Sequence, residues 1–261
     1  VVENPAANVV TIRETLKSGS GRLSVVSSDT TRLAVTDEGI SVVESVTSVP
    51  ETFDANEDAV YVIVKRTIDG TTKRYIERLK KRIFATKEDS FFVDSGLTYD
   101  STPVSTITGL DHLEGQTVAI LADGNILSRQ KVSDGAVSLG SLTFSKVHVG
   151  LPITATIEML PLDVVLSSAR ETSVSRQKNA TELTLFLEDT TGLQVGKDQD
   201  NLVTIAARQF ETFGSPAELK SDEICIKIGP EWKFRKKPVI QQSQPVPAKV
   251  LGVAVDLALG G

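Results

Sequence analysis

The sequence predicts a mainly β protein, built of antiparallel sheets that form small barrel or sandwich units, with one or two short helices. Three observations carry this. Short runs rich in Val, Ile and Thr recur along the chain, and Gly, Asp, Asn and Pro punctuate them. The longest apolar clusters, such as Val60-Tyr61-Val62-Ile63-Val64, have the length of a strand and fall far short of a membrane-spanning helix. The chain has 261 residues, more than one usual domain needs, so one large β domain and two smaller ones are both open.

Taken in order, residues 1–49 are the least legible. Strand-like runs at Asn8–Thr15 and Arg22–Thr36 lie between Gly and Ser, with no repeat and no long low-complexity tract. The clearest unit is Ala59–Leu79. Val60, Val62 and Val64 alternate with Tyr61, Ile63 and Lys65, Asp69-Gly70 tolerates positive φ, and Lys73-Arg74-Tyr75-Ile76 leads back, which predicts a β-hairpin. A competing helical signal lies in Ile76, Leu79 and Ile83, with Glu77 placed to pair with Lys81.

From Val104 to Leu160 the punctuation becomes regular. Gln116–Leu121 predicts a strand closed by Asp123-Gly124-Asn125, and Ile126–Val132 its partner, closed by Ser133-Asp134-Gly135. Ala136–Phe144, Ser145–Val149 and Ile153–Met159 continue the pattern, and this density of strands and turns suggests the small barrel or sandwich. The one persuasive helix lies between Leu162 and Lys178, where Val164, Val165, Ala169 and Thr172 share a face. Thr181–Glu188 then alternates cleanly, with Leu183, Leu185 and Leu187 together. Leu193–Gly196 is a short turn-flanked element, and Leu202–Ala206, Ile224–Ile228, Lys237–Ile240 and Ala248–Val255 predict the last strands. This divides the chain into segments 1–49, 50–103, 104–160 and 161–261, the last containing the short helix.

The composition narrows the chemistry. With 28 basic and 34 acidic residues the formal net charge is −6, against the basic face that phosphate binding requires. A single cysteine, Cys225, excludes an intrachain disulfide and any multi-cysteine metal site, and two histidines, His112 and His148, leave little room for zinc chemistry. There is no GxGxxG opening a helix, no P-loop lysine motif and no GxSxG elbow. The composition thus points away from the common metal and thiol enzymes, and we assign no catalytic, cofactor-binding or metal-binding residue, although counting alone leaves a glycosidase-type carboxylate pair open.

The residues that invite chemistry have plainer readings. Asp111-His112-Leu113-Glu114 has the composition of a base with an orienting carboxylate, or of half a metal site, but a polar loop between strands accounts for it. His148, between Val147 and Val149, suits a structural or interface role, and Cys225 that of a small hydrophobe in a strand. Asp94, Asp111, Glu114 and Asp123 all lie close to Gly or Ser, where turn formation explains a carboxylate. Two basic runs carry aromatics. Lys73, Arg74, Arg78, Lys80, Lys81 and Arg82 lie with Tyr75 and Phe84; Lys233, Arg235, Lys236 and Lys237 lie beside Trp232. Either could form a local nucleic-acid patch, but a solvated link or a subunit contact is the better expectation.

Several segments, in order, resemble the nozzle or tail tubular proteins of short-tailed bacteriophages, also described as packaged-DNA stabilisation proteins. They are Val62–Gly70 with Arg74–Leu79; Phe92-Val93-Asp94-Ser95-Gly96-Leu97-Thr98-Tyr99; and, most specific, Gly109-Leu110-Asp111-His112-Leu113-Glu114-Gly115-Gln116-Thr117-Val118 through Ala122-Asp123-Gly124. Val149-Gly150-Leu151-Pro152, Thr191–Gly196 and Gln244-Pro245-Val246-Pro247 before Val250–Val253 continue the likeness, which covers Glu44 to the last residue. Such proteins are typically longer and many carry additional N-terminal β-rich modules. Because the chain begins Val1-Val2-Glu3-Asn4, we expect it to be a C-terminal portion of a longer protein.

The resemblance implies a virion structural protein of the phage tail, assembled in the bacterial host cytoplasm. It implies a homo-oligomeric ring, a hexamer by the likeness, contacting portal, adaptor and other tail proteins, retaining packaged double-stranded DNA and conducting it during ejection without tight binding. The negative charge suits a tube that DNA must slide through. No membrane-spanning segment is expected. The alternative is a receptor- or glycan-binding, or glycan-cleaving, tail module, since β-rich phage proteins often engage cell surfaces and carboxylates are plentiful.

Overall fold

The computed structural model of the chain describes residues 2–3, 11–12, 42–50, 58–68, 70–80, 84–162, 176–206 and 215–260. About 60% of these are in strands, the sheets are antiparallel, and none closes into a barrel. Among the described residues no sheet has more than four strands, whereas closure needs enough tilted and staggered strands to surround filled space. Of the two expected forms, the barrel is therefore not made. Among the described residues helical geometry is confined to two single 3-10 turns, Lys87–Asp89 and Asp111–Leu113. The helix expected between Leu162 and Lys178 falls on 163–175, outside the described residues, as do most of the runs expected before residue 42.

The chain divides into two units that interleave in sequence: Val1–Lys81, Ile107–Thr117 and Lys131–Val137 form one, and Arg82–Thr106, Val118–Gln130 and Ser138–Gly261 the other. In the first unit, β1 (Val2–Glu3) pairs with β2 (Thr11–Ile12), and β3 (Val42–Pro50), β4 (Asp58–Ile68) and β5 (Thr71–Arg78) form a sheet in that order. The expected hairpin is present: Ile68 pairs with Thr71, and Gly70 has φ +68°. Alternation buries Val62 and Val64 with Val43, and Val46 packs against them. Arg66, on the same face and 4% exposed, is gripped by both carboxylate oxygens of Glu77 at 2.8 Å. Glu77, placed in the competing helical signal, lies in strand β5, and its expected partner Lys81 is outside the described residues. Ile63 and Ile76 pair across the opposite face and stay exposed.

The same unit contains β7 (Thr106–Thr108) and β10 (Ala136–Ser138), which pair at the 107–117 and 131–137 segments. Ile107, Leu110, Leu113, Val132 and Val137 are buried there. The strand expected over Ala136–Phe144 stops at Ser138, because Gly140 turns the chain at φ +86° and extended pairing resumes only at Phe144.

The second unit holds three sheets. The first is β6 (Val93–Val104), β11 (Phe144–Pro152), β8 (Thr117–Ala122) and β9 (Asn125–Lys131), in that spatial order. Val118–Ala122 is buried on both faces. The β8–β9 bend holds Asp123 and Gly124 at φ +43° and +72°, the pair of positive angles that matches strand twist. The second sheet orders β12 (Ala155–Glu158), β17 (Val239–Gln242), β14 (Gln194–Gly196) and β15 (Leu202–Thr204). The third orders β16 (Glu223–Lys227), β13 (Lys178–Glu188) and β18 (Lys249–Leu259). As the alternation predicts, Leu183, Leu185 and Leu187 face one core with Leu193, Val195, Ile226, Ile228 and Ile240. Each such side chain contributes about 1.5–3 kcal/mol on burial.

Where β6 and β11 run together, Val149 faces Leu97 but Leu151 faces Asp94, so Gly150 opposes both Ser95 and Gly96 in a bulge. A Cβ on Gly150 would sit 2.7 Å from the Asp94 carbonyl oxygen and from Gly96 Cα, and one on Gly96 would sit 2.7 Å from the Val149 carbonyl oxygen. These neighbours are backbone and cannot swing aside. Gly150→Ala should therefore lower stability by about 1–3 kcal/mol through overpacking. Gly140→Ala meets nothing within 4 Å and should cost only the positive-φ strain, about 1 kcal/mol. Urea denaturation of the two variants checks the difference.

Candidate functional site

Within the Asp111-His112-Leu113-Glu114 cluster, Asp111–Leu113 folds as a 3-10 turn and Glu114 caps its end. Leu113 is buried, and the Glu114 carboxylate accepts the amides of Asp134 (3.2 Å) and Gly135 (2.8 Å). That bend has φ +53° at Asp134 and +66° at Gly135, and a Cβ on Gly135 would strike Asp111 Oδ1 at 2.6 Å. The His112 ring lies tilted against Tyr75, centroids 6.0 Å apart. A carboxylate filled by two backbone donors is a turn clamp.

The other nominated carboxylates behave alike. Asp123 accepts the amides of Ser145 (3.2 Å) and Lys146 (2.8 Å), and Asp94 accepts the amide of Ser95 (2.9 Å). His148 is 4% exposed; its Nε2 donates to the Glu88 carbonyl at 2.8 Å, and its Nδ1 hydrogen-bonds with Thr98 Oγ1 at 2.9 Å. Phe91 packs edge-on against it at 5.4 Å. Both ring nitrogens thus hold structure. Cys225 lies in strand β16 as expected, but on its exposed face. The apolar neighbours that suggested a hydrophobe, Ile224 and Ile226, point to the other side, and Ile226 is buried. The hydrogen bond from Sγ to Glu182 Oε1 (2.7 Å) raises the thiol pKa, which keeps sulfur protonated and weakly nucleophilic.

The first basic run, as far as it is described, is spread along a sheet and partly neutralised. Arg74 pairs with Glu44 through two contacts of 2.6 and 3.0 Å, which lowers the Glu44 pKa. The second run is a built cluster centred on Glu231, a residue that sequence reasoning did not single out. Glu231 Oε1 receives Lys233 Nζ at 2.9 Å and has Lys197 Nζ at 3.9 Å; Oε2 receives Lys236 Nζ at 2.9 Å. The hydrogen bonds from Lys233 and Lys236 lower its pKa to about 2. Lys236 is fully buried, as is Lys178, whose Nζ donates to the Phe234 carbonyl at 3.3 Å. Backbone bonds between Lys178 and Lys233 in both directions fasten the segment to the start of β13. From this base Trp232 and Phe234 project, 49% and 55% exposed. Glu231 two residues before Lys233 and five before Lys236 was the available signal, but a turn, not a helix or strand, brings them together.

Among the described residues no group of His, Cys, Asp and Glu is arranged to hold a metal ion. An open groove in the second unit is lined by Leu127, Ser128, Arg129, Thr154, Ser243 and Gln244. Compared with the known protein families and with curated proteins, the sequence matches none.

Glu231→Gln should destabilise the protein on the order of 3 kcal/mol at neutral pH, because it strands the buried Lys236 ammonium. The wild-type carboxyl titrates lower folded than unfolded, so its contribution is complete above its ordinary value of 4.5 and fades as pH falls through about 2. Urea midpoints measured across acid pH should therefore converge for wild type and variant only at the acid end.

Proposed function

We propose that this chain is a virion structural protein of a short-tailed phage. In this reading it forms part of the nozzle or tail tube that retains packaged DNA and conducts it during ejection, and it acts through interfaces without catalysing a reaction. The observation that carries it is that the segments resembling nozzle proteins, far apart in sequence, are those that clasp one another in the fold. Phe92–Tyr99 meets Val149–Pro152 at the glycine bulge. The segment that runs from Gly109 through Ala122-Asp123-Gly124 meets Val149–Gly150 where Ile120 pairs with Val149 and Ala119 with Gly150. Thr191 donates its amide to the Pro247 carbonyl, and Gln242 returns a bond to the Thr191 carbonyl, so Thr191–Gly196 and the proline-rich approach to β18 form one clasp. A resemblance that follows spatial contacts is one of scaffold, as an assembly protein requires.

The partners of this reading are further copies of the chain in a ring, portal and adaptor proteins, and passing double-stranded DNA. The open groove beside Arg129, with Ser128, Thr154, Ser243 and Gln244 on its walls, favours the second reading. Its hydroxyl and amide groups suit a glycan, and a receptor-binding tail module would use it.

Incubating the purified protein with portal–adaptor rings and, separately, with host surface polysaccharide distinguishes the two. Co-sedimentation with the rings supports the tail-tube role, whereas saturable polysaccharide binding or cleavage supports the rival. Tight binding of double-stranded DNA by the assembled protein at low salt would count against a conducting tube. Replacing Asp111 and His112 together by Ala should leave ring binding intact.

A further inference from the structure

Two surfaces of the second unit leave apolar side chains in water and carry opposite charge. The first is the Glu231–Lys237 loop. Trp232 and Phe234 are exposed between cations, and Lys237 is held by Glu158 at 2.6 Å. Three lysines surround the single carboxylate of Glu231, so the cluster keeps a positive excess. Arg235, also exposed, has no carboxylate partner among the described residues. Large aromatics beside Arg are the side chains that most often anchor protein interfaces.

The second surface is the outer face of the β16–β13–β18 sheet. Pairing sets Phe186 between Glu223 and Gly252, and Glu182 between Lys227 and Asp256. A Cβ on Gly252 would lie 3.3 Å from the Phe186 ring, so the ring rests on the glycine and leaves its other side open. Phe186 is 40% exposed and Leu251 68%. Glu182, Glu223 and Asp256 face Lys227 alone, because Lys249 is taken by Asp189 and Glu188. This face is acidic with an apolar centre; the loop is basic with an apolar tip. Both are exposed in the same chain, so neither covers the other.

We propose that the Glu231–Lys237 loop docks on the outer face of the β16–β13–β18 sheet of a second copy of this chain. The proposal rests on the structural-protein reading and names a contact through which copies join. Trp232 and Phe234 would settle against Phe186 and Leu251, with Arg235 directed to Glu223 or Asp256. Two different patches joined in this way make a head-to-tail contact, which closes as a ring or runs on as a filament.

The test uses the full chain, the exposed-residue variant Arg235→Glu, and the face variant Glu223→Arg with Asp256→Lys, read by sedimentation velocity and by the emission of Trp232, the sole tryptophan. We expect wild type to associate with rising concentration, more weakly in high salt, with Trp232 emission moving to the blue. Each variant alone should weaken association about tenfold or more. An equimolar mixture of the two, with charges reversed on both sides, should restore it. Circular dichroism and the urea midpoint of each variant establish that the fold is intact, and Arg235→Gln provides a milder form of the loop change. Association that neither variant alters, or that the mixture does not restore, overturns this contact and leaves the structural reading standing. A wild-type chain that stays monomeric at every concentration also overturns it, and the portal–adaptor assay then judges the structural reading separately.

Discussion

Tight bends leave amide groups directed away from the ladders they close, and buried amides without partners are costly. This chain meets that demand with carboxylates. Glu114 takes both amides of the 134–135 bend, and Asp123, itself at positive φ in one bend, accepts the amides of Ser145 and Lys146 near the start of β11. Once these are filled, the register of β8, β9 and β11 follows, and with it the burial of Val118–Ala122. Glu114 and Asp123 thus hold corners of the fold.

How much of this was legible depended on whether the signal was local. The hairpin at residues 58–78, the Asp123-Gly124 and Asp134-Gly135 bends and the leucine alternation in β13 could be read because period and turn chemistry lie within a few residues. The break after Ser138 could not, because Leu139 is buried and continues the apolar pattern while Gly140 alone changes direction. The glycine bulge was visible only as two unexplained glycines in separate segments. The Glu231 cluster was hidden for a further reason. Its meaning lies in burial of Lys178 and Lys236, and a lysine in sequence gives no sign that its ammonium will leave water.

The charge arrangement gives the negative balance of the chain a finer meaning. A net charge of −6 says nothing of distribution. In the second unit the cations gather around Glu231, whereas Glu182, Glu223 and Asp256 occupy one sheet face. Segregation of this kind favours orientation between like molecules, which a uniformly acidic surface would oppose. It also fits a protein whose polar groups serve corners and contacts.

The pairing of β13 with β18 along nearly its whole length carries a consequence for how the protein is made. Everything between Glu188 and Lys249, including three strands that belong to another sheet, must leave the ribosome before β13 can meet this neighbour. Until then the leucine stripe of β13 and one of its hydrogen-bonding edges remain open. Pairings across such separations form slowly, because closing the loop costs entropy before any contact repays it. The interval between synthesis of β13 and of β18 is thus when the nascent chain is most exposed to wrong strand partners, including the same strand on a neighbouring polypeptide.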